Sequence, residues 1–128
     1  MKRLGIISAA VISVVMLATS AFAQDLNKAV DAYNAGDYDT ALQEWRLLAE
    51  QGDALAQFIL GDMYYNGQGV LQDNVLAHMW LNLGAVNGHE LGAKNRDIIA
   101  KKMTPQAIEQ AQEMASECMS SDYKNCGY

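Results

Sequence analysis

A single uninterrupted run from Ala56 to Gly88 constrains this chain more than any other feature, because its small, aromatic and glycine residues fall at spacings that describe helix, tight glycine turn and second helix. Sliding the sequence by 36 positions brings Asp37 onto Asp73, Ala41 onto Ala77, Leu47 onto Leu83, Ala49 onto Ala85, Gly52 onto Gly88 and Leu55 onto Leu91. Self-similarity at such a period is the signature of stacked αα-hairpins, an architecture whose usual work is holding other molecules.

The first 23 residues read as a separate address. Lys2 and Arg3 form a basic start, Leu4 to Leu17 an uncharged apolar stretch, and Ala21-Phe22-Ala23 a small-x-small cleavage site, together the pattern of a secretory signal peptide. The apolar stretch is shorter than the roughly 20 residues of a membrane span and is interrupted by Ser8 and Ser13, so no stable span is expected after cleavage. The rest divides into a helical repeat domain over 24–120, with units at about 25–52, 53–88 and 89–120, and a tail over 121–128. Two of the 9 Lys and Arg fall in the leader, which leaves 7 against 15 Asp and Glu, a net charge of −8. That balance opposes nucleic acid and anionic membrane as partners and favours basic ones.

Cys118 and Cys126 are the two cysteines, and export to an oxidising compartment makes a disulfide between them the first reading. Closing so short a loop stabilises a fold by about 2.5 kcal/mol in the chain-entropy model and pins a tail that otherwise frays.

Beyond the leader no stretch alternates with the two-residue period of a half-exposed strand, so the chain reads as all-α. The first pair of helices spans Leu26 to Ala35 and Tyr38 to Gln51, the second Asp53 to Asn66 and Asp73 to Asn87. The third spans Glu90 to Lys102 and resumes at Thr104-Pro105, a cap followed by proline at the first helical position. Asp37 and Asp73 are the expected N-caps, and Gly36, Gly52, Gly67, Gly69 and Gly88 the expected turn residues. Val70, between two helices, is placed to drop inward at their junction. Ile98, Ile99 and Met119 are expected to seal the C-terminal end, and the first helix is the place where an oligomer or partner docks if one exists.

The segment Ala56-x3-Leu60-Gly61-x2-Tyr64-x2-Gly67-x-Gly69-Val70-x2-Asp73-x3-Ala77-x2-Trp80-x4-Ala85-x2-Gly88 closely resembles the Sel-one-like repeat, a relative of the tetratricopeptide repeat with a longer turn. Tyr33-x2-Gly36-x-Tyr38-x2-Ala41-x3-Trp45 is similar to an ordinary tetratricopeptide unit, and the third unit resembles a degenerate cap. The resemblance implies a right-handed solenoid, no catalytic residues, no cofactor, and an adaptor or scaffold role, commonly in the cell envelope for exported bacterial members.

A helical wheel of 56–66 puts Ala56, Ile59, Leu60, Met63 and Tyr64 on one arc as core, and Phe58, Asp62 and Tyr65 on the other. Two aromatics and an acid at i, i+4 and i+7 suit a peptide that carries a basic residue, and solenoids bind along such first-helix faces. Phe58 reads first as packing on a neighbouring unit; Asp62 and Tyr65 stay open between partner binding and plain surface. Trp45 and Trp80 read as core. His78 and His89 lack zinc spacing and read as surface residues, and no metal site is expected. Glu109, Glu113 and Glu117 form a row of like charge, read as a solvated outer face that Lys101 and Lys102 soften. No Gly-x-Ser-x-Gly elbow or phosphate-binding loop is present. The expected function is therefore a non-catalytic, periplasmic or secreted interaction module for another protein or peptide. An acidic inhibitor or regulatory subunit of a basic enzyme is the alternative.

Overall fold

Four side chains start helices in the same way. Asp37 accepts from Thr40 N at 3.3 Å, Asp53 from Ala56 N at 2.7 Å, Asp73 from Leu76 N at 3.0 Å and Thr104 from Ala107 N at 3.1 Å. Each satisfies an amide that the first turn leaves without an intrahelical acceptor, a contact that contributes about 1 kcal/mol. The computed structural model describes residues 25–127, so the signal-peptide reading of 1–23 lies outside the described residues. Within them the helices are α1 (25–34), α2 (Tyr38–Glu50), α3 (Ala54–Asn66), α4 (Asn74–Val86), α5 (Glu90–Ala100) and α6 (Pro105–Ser120). Several end a residue or two inside their expected limits because Asp53, Asp73, Gln51 and Asn87 serve as caps.

Gly36, Gly52, Gly67, Gly69 and Gly88 all have positive φ, between 67° and 104°. Gly69 is also confined by space, since a Cβ there would lie 2.7 Å from the carbonyl oxygen of Tyr38. The long turn of the second unit is thereby pressed against the start of α2 in the first. Tyr33 reinforces this seam by donating its hydroxyl to Gln68 Oε1 at 3.2 Å. Val70 is partly buried against the core, whereas Leu71 beside it is 91% exposed.

Stacking proceeds from α2 on α3 to α3 on α4, and α4 then carries both α5 and α6. Glycines set the closest approaches. A Cβ on Gly61 would meet Leu81 Cγ at 2.7 Å, and one on Gly92 would meet the Leu81 carbonyl oxygen at 2.9 Å. Because α4 is covered by three helices, Trp80, Leu81, Leu83 and Met79 are completely buried, and Trp45 fills the corresponding space in the first unit. Removing a fully buried tryptophan from such a core costs about 3–5 kcal/mol. His78 is buried too, at 3% exposure, which corrects its reading as a surface residue: the side of α4 it occupies is packed rather than solvated.

Gln57 joins three segments. It is fully buried, donates to the carbonyl of Ala49 at 3.0 Å and accepts from Asn87 at 2.8 Å. Asn87 also donates to the hydroxyl of Tyr123 at 3.0 Å, so the tail after α6 folds back to the turn at Gly52. Cys118 and Cys126 form a disulfide that holds this return. The expected end seal is only partly formed among the described residues: Ile99 is buried, but Ile98 and Met119 are exposed at 46% and 39%.

Candidate first-helix groove

Among the described residues, hollows lie along α1, α3 and α5. The larger, about 300 Å³, is lined by Val30, Tyr33 and Asn34 of α1, Trp45 of α2, and Phe58, Ile59 and Asp62 of α3. The smaller, about 160 Å³, is lined by Asp62 and Tyr65 of α3 and by Asn95, Ile98 and Ile99 of α5. Asp62 belongs to both linings and so stands where the hollows meet.

The structure thus brings Phe58 and Asp62 to one hollow and Asp62 and Tyr65 to the other. Phe58 is only partly buried and stacks on the imidazole of His89, ring centroids 4.2 Å apart and planes within 15°. It therefore packs on the following unit while also presenting an edge to the hollow. His89 is the N-cap residue of α5, half-buried rather than on the surface.

Asp62 is half-buried, and Asn95 Nδ2 donates to it at 3.4 Å, near the outer limit of a hydrogen bond. Burial pushes its carboxyl above the ordinary value of 3.8, against smaller opposing effects of the Asn95 amide and the charge of His89. The hydroxyl of Tyr65 accepts from Lys102 Nζ at 2.5 Å. That ammonium lies 5.2 Å from the ring centroid because it sits at the hydroxyl end rather than over the ring face. Lys102 consequently points to the groove, not to the Glu109, Glu113 and Glu117 row that it was expected to soften.

Sequence reasoning named the first helix as a docking place but not its residues, and it missed the wall contributed by α5. Val30, Tyr33 and Asn34 share the i, i+3, i+4 spacing of Asn95, Ile98 and Ile99, a pattern that marks one helix face but not what that face looks onto. It also put Ile59 on the core arc, whereas Ile59 is partly buried and lines the larger hollow. Among the described residues no group of three or more His, Cys, Asp and Glu is arranged to hold a metal ion, and no helix is long and apolar enough to cross a membrane. The two hollows set one carboxylate among aromatic, aliphatic and amide side chains.

No family model and no curated protein matches the chain. Among solved structures it is similar to c5321, a protective antigen present in uropathogenic Escherichia coli strains and displaying an SLR fold. The likeness has 33% identity and a TM-score of 0.63, and covers 67% of this chain and 20% of that one. The present chain thus corresponds to about a fifth of that protein's length. With the glycine-punctuated motif, the stacked helix pairs and this likeness in agreement, the chain is a short helical-repeat protein with an SLR fold.

Proposed function

We propose that this chain is an exported, non-catalytic interaction module that binds a segment of another protein along the groove formed by α1, α3 and α5. The observation that carries the reading is that two hollows share Asp62 as a lining residue, one reaching α1 of the first unit and the other α5 of the third. Hollows arranged in this way suit an extended segment, whose side chains enter them in succession, better than a compact small molecule. Export is supported by the leader pattern and by the Cys118–Cys126 disulfide, a bond that persists in oxidising compartments.

Site-specific photo-crosslinking in the native cell tests the reading. Val30 and Ile98, each at the rim of one hollow and partly exposed, are replaced in turn by p-benzoylphenylalanine, and Glu113 on the outside of α6 serves as the comparison position. A common protein adduct from Val30 and Ile98, absent from Glu113, is the expected result. Adducts from Glu113 alone would transfer the function to the acidic outer face. N-terminal sequencing of the recovered protein is expected to begin at Gln24, which tests export in the same sample.

A further inference from the structure

We propose that the larger hollow receives an arginine side chain of the bound segment, its guanidinium on the carboxylate of Asp62 and its aliphatic stem against Phe58 and Ile59. This rests on the groove being the interaction surface and names the ligand chemistry that the groove selects.

Charge complementarity carries the inference. Among the described residues that line either hollow, Asp62 is the one acidic or basic side chain. Its hydrogen-bond partner among the described residues is the neutral amide of Asn95, at long range. The chain's own nearby cations are engaged elsewhere: Lys102 donates to Tyr65, and Arg96 donates to Asn82 at 2.7 Å and pairs with Asp97 at 3.0 Å. A half-buried carboxylate carries a desolvation cost that the long Asn95 contact and the neighbouring His89 offset only in part, and a cation arriving with a ligand would offset more of it.

The walls narrow the cation to arginine. Tyr33 and Phe58, both only partly buried, offer aromatic surface on which a planar guanidinium stacks and methylene groups pack, while the fork of N–H donors matches a carboxylate with two bonds. A lysine ammonium is a compact, strongly hydrated charge and gains less from such walls. Trp45 adds a buried indole N–H without an acceptor among the described residues, a donor for a carbonyl of the entering segment. The smaller hollow is the poorer place for a cation, since Lys102 already stands at its Tyr65 wall. Arginine therefore enters the larger one.

The test begins with a displayed random heptapeptide library selected on the folded protein. The consensus peptide is then synthesised in three forms, with arginine, with lysine and with citrulline, the neutral isostere. Each is titrated by calorimetry against the protein and against Asp62→Asn and Asp62→Glu, with the binding surface mapped by NMR shifts. The expected result is arginine enrichment, shifts centred on Ile59 and Trp45, and a loss of about 10- to 100-fold for citrulline. Asp62→Asn should bind the arginine and citrulline peptides equally while melting no lower than the parent, whereas Asp62→Glu retains the preference. A groove-bound consensus without a basic residue, or equal binding of arginine and citrulline by the parent, overturns the arginine assignment and leaves the interaction module standing. Failure to enrich any peptide, or binding mapped to another face, overturns both.

Discussion

Asn95 of α5 reaches Asp62 of α3 with a single amide N–H at 3.4 Å, and this contact ties the last repeat unit to the middle one across the groove. It leaves the carboxylate more desolvated than satisfied, so the native fold holds the Asp62 proton more tightly than the unfolded chain does. The consequence for stability follows from proton linkage. Below the ordinary value of 3.8 both states are protonated and the group costs nothing; as pH rises from there through the elevated native value, the native carboxyl must ionise in place and stability is lost. Thermal melts of the parent and Asp62→Asn should nearly coincide in acid, with the variant gaining on the parent as pH rises to neutrality. A constant difference across that range would refute the account.

His78 works in the opposite direction. Burial lowers its affinity for a proton below the ordinary value of 6.5, with the charge of Arg96 adding to the effect and Asp97 partly opposing it. Above 6.5 both states carry neutral imidazole; below it the unfolded chain takes up a proton that the native core refuses, so stability declines as pH falls from 6.5 toward the lower native value. His78→Leu should remove this component. Urea unfolding at pH 7 and pH 5 is expected to show a smaller drop for the variant than for the parent.

Gly69 and Gly36 share a left-handed backbone, with φ of 73° and 75°, but differ in what surrounds them. Nothing lies within 4 Å of a Cβ built on Gly36, while one on Gly69 would press on Tyr38 backbone at 2.7 Å. Gly36→Ala should therefore cost about 1–2 kcal/mol, the conformational term alone. Gly69→Ala should cost distinctly more, because the turn of the second unit must also draw away from α2. Denaturation midpoints of the two variants measure the difference directly, and equal losses would show that the seam yields freely.

Much of the helical layout was legible residue by residue. Asp37, Asp73 and Thr104-Pro105 announce helix starts because a short polar side chain can satisfy only the amides of its own first turn. Positive φ falls at Gly36, Gly52, Gly67, Gly69 and Gly88, where the spacing placed turns, since a left-handed residue without Cβ is the low-cost way to end a helix. The motif of the second unit was sufficient for the SLR repeat fold and the all-α class.

The groove was not legible in the same way. The wheel of α3 separates two arcs, yet Ile59 from the supposed core arc and Asp62 from the other line one hollow together with residues of α1 and α2, which a wheel of one helix does not contain. His78 reads as surface for want of a zinc-ligand spacing, but burial of α4 depends on α3, α5 and α6 all arriving on it. Lys102 finds Tyr65 instead of the glutamate row only once α5 has been docked. Capping, turn conformation and periodicity act within a few residues, so the chain's own chemistry settles where helices begin, end and repeat. Which faces are covered twice, which carboxylate loses its water and where the hollows lie are set by contacts between residues some 30 positions apart, and those exist only after the units have stacked.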